Sequence, residues 1–419
     1  MERRDDGSYG RVGCQLRGRL CRRRRLVALV SAGAVMVLAG CSPAAPRVPH
    51  RAPAALSAGC STSAAAGRRL AAPRPVTVPV PGNPTAVVGT ADGRWAFASV
   101  STGRGGEVAV LALGGSMPRL VRTVDLPGLA DAFGLAMTHD GRLLVVAGYT
   151  ATAVLSVRAL EDGGRDPVVG VLADTGSGQF EVAVSGDDRY VFVTDETSGG
   201  LSVFNLAAAL RRGFSAPEVA VGIVPLATGA VGVAIAPGGG RLYVTTYGAY
   251  GPYGQLWVVG TARAESGAGG AVLADVAAGC QPVRVAVSPD GSTVWVTALQ
   301  SDALLAFSAA RLSDDPSRAL EAVVPVGSEP VGLLLVDDGR LALVGNSNRG
   351  LVPGTASDAP QTVSVVSTAA ALAQRPAVVG AVPAGLFPRD LTFDQATGQV
   401  LLGNFKSGTV EEFPVPTAS

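Results

Sequence analysis

Glu181, Arg284 and Asp390 are the residues of this chain whose types and placement could do chemistry together. Each stands two residues after the Pro, or the residue replacing it, that opens a short Val-rich segment. At the matching place in four other segments stand Ala86, Gly134, Gly232 and Gly332, nothing larger than a methyl. Two carboxylates and a guanidinium meeting in one concavity fit three readings: a pocket for an anionic ligand, a carboxylate acid–base site, or a buried ion triad that only neutralises itself. All three stay open at this point. Histidine chemistry is not expected, because the chain has 2 His, one (His50) in a polar N-terminal stretch and the other (His139) in a turn. No Cys–His cluster suits zinc. Carboxylate and amide oxygens would suit Ca²⁺ or Mg²⁺ under the acid–base reading, but Arg284 opposes a cation, so no metal or other cofactor is expected otherwise.

The elements that must position these groups come from a repeat. Residues 281–312 read as three strands: 283–287, then 293–297 after the Pro289-Asp290-Gly291 turn, then 303–307 after a polar tip. The same pattern recurs on turns at Asp92-Gly93, Asp140-Gly141, Asp187-Asp188, Gly238-Gly239, Asp338-Gly339 and Thr397-Gly398. That makes about seven units at a period of roughly 50 residues, near the length of a propeller blade. Asn205, Ser308 and Ser367 precede Ala-rich segments as N-caps of short helices that lead to a fourth, outer strand. The last unit ends one outer strand short, and residues 76–80 supply it, so the ends pair and no sheet edge stays open. The fold class is all-β, a seven-bladed propeller over 76–419.

Inner strands line the channel, so Glu181, Arg284 and Asp390 are expected at one mouth. The loops joining second to third strands open on the same face. They carry Asp195, Tyr247, Tyr250, Asn346, Arg349 (in an insertion over 346–361) and Asn404. Tyrosines in a Gly-rich loop can stack on a sugar or a peptide, or pack on their own blade. Asn346 and Asn404 fit a turn-stabilising role as well as a ligand contact.

The N-terminus reads as an address. Arg22, Arg23, Arg24 and Arg25 precede an apolar run over 26–38 and then Leu38-Ala39-Gly40-Cys41, which looks like a bacterial lipobox. Residues 1–40 would be a signal peptide, and diacylated Cys41 would anchor the chain to the outer face of the membrane. An ordinary cleaved signal is the alternative, and either the general or the twin-arginine export route fits. Residues 41–75, rich in Ala, Pro, Ser and Arg, read as a disordered tether. Cys14 and Cys21 would leave with the signal and Cys41 would be acylated, so only Cys60 and Cys280 remain as thiols, and an oxidising compartment permits their pairing. The net charge is +1, with much of the positive charge before residue 26, so no nucleic-acid-binding face is expected and a monomer is.

Ser288-Pro289-Asp290-Gly291, Leu242-Tyr243-Val244-Thr245 and Tyr190-Val191-Phe192-Val193-Thr194 resemble the repeats of YVTN-type seven-bladed propellers, a group related to lactonase-like propellers. The resemblance spans about 76–416 and implies the fold. Propellers host enzymes, binders and scaffolds alike, so activity does not follow from it. Gly238-Gly239-Gly240 departs from the Asp-Gly turn, and the third strands of units two and seven are degraded in sequence. The favoured function is a non-catalytic, surface-anchored module for an envelope protein, peptide or glycan. The alternative is a lactonase-like or other hydrolase with Glu181 or Asp390 as base.

Overall fold

The structure, a computed structural model, describes residues 56–60, 68–70, 75–114, 117–173, 175–248, 253–348 and 361–416. Cys41, Tyr250, Arg349, the signal segment and most of the insertion after Asn346 lie outside the described residues. Seven four-stranded antiparallel sheets follow one another around a ring. Blade 1 holds Asn83–Gly89, Trp95–Ser101, Gly106–Ala112 and Arg119–Asp125. Blade 2 holds Leu135–Met137, Leu143–Ala147, Thr152–Ser156 and Val168–Leu172. Blade 3 is Gln179–Val184, Tyr190–Asp195, Gly200–Asn205 and Ala220–Pro225. Blade 4 is Ala230–Ile235, Arg241–Thr246, Tyr253–Gly260 and Val272–Cys280. Blade 5 is Pro282–Val287, Thr293–Ala298, Ala303–Ser308 and Leu320–Pro325. Blade 6 is Pro330–Val336, Leu341–Asn346, Gln361–Ser367 and Val378–Ala384.

Blade 7 joins both ends of the chain. Pro388–Asp394, Gln399–Asn404 and Thr409–Pro414 receive Val76–Pro79 as the outer strand, in a register that sets Val76 opposite Glu412 and Pro79 opposite Thr409. The closure expected from the sequence is therefore present. The third strands of blades 2 and 7 are regular despite their weak sequence pattern, because five and six successive backbone pairs tie them to their neighbours.

The core lies between blades. The third residue of every second strand is a large apolar wedge: Phe97, Val145, Phe192, Tyr243, Trp295, Leu343 and Leu401, each at most 1% exposed. Burial of each such side chain contributes about 1.5–3 kcal/mol. Hydroxyls on the second strands then stitch one inner strand to the next. Thr245 donates to the Val283 carbonyl at 2.7 Å, Thr297 to Val331 at 3.0 Å, and Ser99 to Phe133. The turns that return the chain outward use left-handed backbone, as at Gly291 (φ 72°) and at Asp188 (φ 57°), where no glycine stands. In four of them a hydroxyl holds the carboxylate two residues on: Thr90 with Asp92, Thr138 with Asp140, Ser185 with Asp187 and Ser288 with Asp290. That bond is the largest cause holding these four Asp carboxyls below the ordinary range.

Short helices follow the third strands. Asn205 caps Leu206–Arg212 by accepting from the Ala208 N–H at 2.9 Å, and Ser367 caps Thr368–Leu372 through Ala370. In blade 5 the helix begins later than expected from Ser308, at Arg311. There the Ser308 hydroxyl oxygen accepts from the Arg311 N–H at 3.4 Å, and the helix starts from Arg311.

Two pieces of the stretch read as a tether rest on the ring. Leu70 is 8% exposed and packs with Leu343, Val365 and Phe413. Its N–H donates to the Ala381 carbonyl at 2.9 Å, on the outer strand of blade 6. Farther upstream, Cys60 is joined to Cys280 in a disulfide with its Cα atoms 5.3 Å apart. Apolar Leu56 and Leu70, spaced too far apart to show a period, are what the compositional reading passed over.

Candidate functional site

Glu181, Arg284 and Asp390 meet, because each lies near the start of an inner strand and inner strands are neighbours around the ring. A bulge at this point in blades 3, 5 and 7 turns two consecutive residues into the channel region. Arg284 Nη2 sits 2.9 Å from Glu181 Oε2. Asp390 Oδ2 accepts from the Val87 N–H of blade 1 at 3.0 Å, which locks blade 7 to blade 1. Burial pushes the Glu181 carboxyl up to about 7; Arg284 pulls it back and the Asp390 charge pushes it further up. Asp390 is raised for the same first reason, again opposed by Arg284. Two desolvated carboxyls thus share one guanidinium whose Nε has no hydrogen-bond partner.

The small residues at the matching positions have a geometric cause. A Cβ on Gly134 would lie 2.4 Å from a Glu181 carboxyl oxygen and 2.8 Å from the Glu181 Cα, so Glu181 leans across blade 2 where only glycine leaves room. Gly134→Ala should therefore lower stability by about 1–3 kcal/mol. A denaturant midpoint equal to that of the unaltered chain would show that Glu181 does not occupy this space.

One residue nearer the mouth runs a second layer: Thr85, Phe133, Phe180, Val231, Val283, Val331 and Arg389. Val231, Val283 and Val331 form a buried cluster with Leu299 and Phe387, against which Phe180, Tyr247 and Phe405 pack. The Arg389 guanidinium lies over three aromatic rings, 5.3 Å from the centre of Phe180, 5.8 Å from Phe387 and 5.0 Å from Phe405. Phe133 stacks on Phe180 at 5.1 Å. The residues just before three inner strands are held in left-handed backbone without being glycine: Gln281 (φ 50°), Glu329 (φ 51°) and Phe387 (φ 58°). A bulky side chain there is strained by about 1–2 kcal/mol. This aromatic layer was not singled out from the sequence. Its signal lies one position before Glu181 and Asp390, in Phe180 and Arg389.

The loop-face candidates do not join the triad. Asp195, Asn346 and Asn404 each end a second strand and are buried at equivalent places. Asp195 accepts from the Ser202 hydroxyl at 2.7 Å, Asn346 donates to Thr362 and Ser364 at 3.0 and 2.9 Å, and Asn404 donates to Thr409 at 3.4 Å. Each packs under a glycine of the preceding loop: Gly176, Gly327 and Gly385. Burial pushes the Asp195 carboxyl up to about 7, partly offset by the Ser202 hydrogen bond. Tyr247 spans two blades, its hydroxyl 2.5 Å from Glu196 Oε1 and its ring over Gly229. His139 lies on the opposite face, Nδ1 2.8 Å from Asp188. Among the described residues no group of three or more His, Cys, Asp or Glu side chains is placed to hold a metal ion.

No protein-family model matches the chain, and no curated protein matches it. Among solved structures the chain is similar to hydrazine synthase of Kuenenia stuttgartiensis, with a TM-score of 0.61 and 14% identity over 81% of this chain and 97% of that one. At that identity the likeness is one of fold alone, and the fold is a seven-bladed β-propeller.

Proposed function

We propose that this chain is an exported lipoprotein of the YVTN-type propeller group, held at the outer face of the bacterial membrane by acylated Cys41. On this reading the propeller acts as a non-catalytic binding module, and its ligand face is the mouth that carries Arg284 and the aromatic layer. The observation that carries it is the stack of an apolar, aromatic rim around Arg389 directly above a buried charged triad. Rings and guanidinium faces recognise peptides and glycans through flat contacts, and strained backbone at the rim is where folds keep residues for use. An envelope protein, peptide or glycan is the proposed ligand.

A hydrolase is the second reading, favoured by one fact: a carboxyl raised to about 7 is suited to general acid–base work at neutral pH. The two separate cleanly. Purified chain is incubated with sugar lactones, with and without chelator, beside Glu181→Gln. Turnover that disappears in the variant would establish the hydrolase and retire the module. With no turnover, an array of envelope glycans and peptides should give a ligand whose binding weakens roughly tenfold or more in Phe405→Ala. Anchoring is checked separately: Cys41→Ser should move the protein from the membrane to the soluble fraction, and retention would mean that something other than acyl chains holds it.

A further inference from the structure

We propose that the Cys60–Cys280 bridge is a redox-addressable latch on an N-terminal strap, which thiol exchange releases while the ring stays shut. Three contacts, all made by described residues at 56–60 and 68–70, hold the strap to the outside of the propeller. Leu56, Ser57 and Ala58 line a cleft of about 490 Å³ with Tyr253, Phe307 and Leu320, between the outer parts of blades 4 and 5. Cys60 is then bonded to Cys280 at the end of the outer strand of blade 4. Arg68, Arg69 and Leu70 next add to the outer strand of blade 6, where Arg69 bridges Ala381 in parallel and the Ala381 N–H donates to the Arg68 carbonyl at 2.8 Å. Val76–Pro79 then completes blade 7.

The contacts differ in strength. The closing strand has four register pairs and buried Val78, followed at once by buried Val80, so the ring does not depend on the bridge. Among the described residues the strap has two backbone hydrogen bonds to blade 6, buried Leu70 and half-buried Ala58, contacts few enough that a covalent pin adds materially to the ordering of its backbone. Access is uneven as well. Cys60 is exposed while Cys280 is fully buried, so an incoming thiolate reaches the Cys60 sulfur.

The chemistry is a two-step exchange. A dithiol's thiolate bonds to Cys60 Sγ, and the Cys60–Cys280 bond breaks with its electron pair on Cys280 Sγ, which takes up a proton. The reagent's second thiolate then closes on its first sulfur and frees Cys60 as a thiol. The protein gains two electrons and two protons, and the dithiol becomes a disulfide. A disulfide-bearing oxidant runs the same steps backward and closes the latch. Opening it bares the cleft lined by Tyr253 and Phe307 and the outer edge of blade 6.

The test is limited trypsin digestion of the full purified chain, oxidised and after dithiothreitol, with Cys60→Ser as a variant that leaves buried Cys280 in place. Arg68 and Arg69 report on the strap, and Arg104, on an exposed bend of blade 1, reports on the ring. Cleavage after Arg68 and Arg69 should rise roughly tenfold or more on reduction and in the variant, with Arg104 unchanged. Equal cutting at Arg68 and Arg69 in both redox states would overturn the latch. So would a parallel rise at Arg104, which would make the bridge a staple of the whole fold.

Discussion

Arg284→Met should cost the fold about 3–5 kcal/mol at pH 8 and much less at pH 4, because it strips the shared counter-charge from two buried carboxyls. The direction with pH follows from proton counts. Glu181 has an ordinary value of 4.5 and is raised to about 7 in the folded chain, so between those values the folded state binds more protons than the unfolded one. Stability therefore falls as pH rises through that window, and the contribution is most favourable below it. Without Arg284 the largest lowering influence on both Glu181 and Asp390 is lost, leaving Arg389 and backbone N–H groups, so the window extends upward and the total loss grows. Near pH 4 the Glu181 carboxyl is neutral in the folded chain, and as Asp390 also protonates the difference shrinks toward lost packing. Urea unfolding at several pH values measures this. Adding Glu181→Gln and Asp390→Asn to Arg284→Met should restore most of the loss at pH 8, since no buried charge remains unpaired. A loss that is flat with pH, or that the added changes fail to repair, would mean that the triad is solvated and its electrostatics are weak.

The ring was legible in the sequence because a propeller repeats its signals: turn residues, a Val-rich second strand and a missing last strand recur or close in countable ways. Convergence of Glu181, Arg284 and Asp390 followed from the same register. Where a signal does not repeat, the sequence was silent. Arg389 and Phe180 occupy one inner-strand position in different blades, yet they meet only because the bulge faces both toward the centre and the ring sets blades 3 and 7 within reach. The sequence pattern assigns Asp195, Asn346 and Asn404 to loops, but the pairing extends one residue further than that pattern implies, and they end strands instead. The strap fell below notice for a different reason. Leu70 finds its place by covering Gly380, a contact across more than three hundred residues of chain that no local pattern encodes.

Asp195→Asn should stabilise the protein by about 2–4 kcal/mol at pH 8 and leave it near neutral at pH 4. Where blades 6 and 7 end their second strands with Asn346 and Asn404, blade 3 has a carboxyl in the same buried place, under Gly176, with the Ser202 hydroxyl where blade 6 has Ser364. The amide of Asn346 donates to that serine, whereas an ionised Asp195 can only accept from Ser202. Its second oxygen, Oδ1, has no hydrogen-bond partner, as is also true of Oδ1 in Asn346 and Asn404. For an amide that is a modest loss, but for a carboxylate it leaves a desolvated charge without a counter-ion. The carboxyl is accordingly raised from 3.8 to about 7. The folded state holds the proton across that interval and the unfolded state does not, so stability drains away as pH climbs from 4 to 7 and the deficit is complete above it. An amide cannot ionise and carries no such deficit. Thermal melts of both proteins from pH 4 to pH 8 should start together and separate with rising pH. Curves that stay parallel would mean that Asp195 is charged and compensated in the fold, and that its likeness to Asn346 is one of position only.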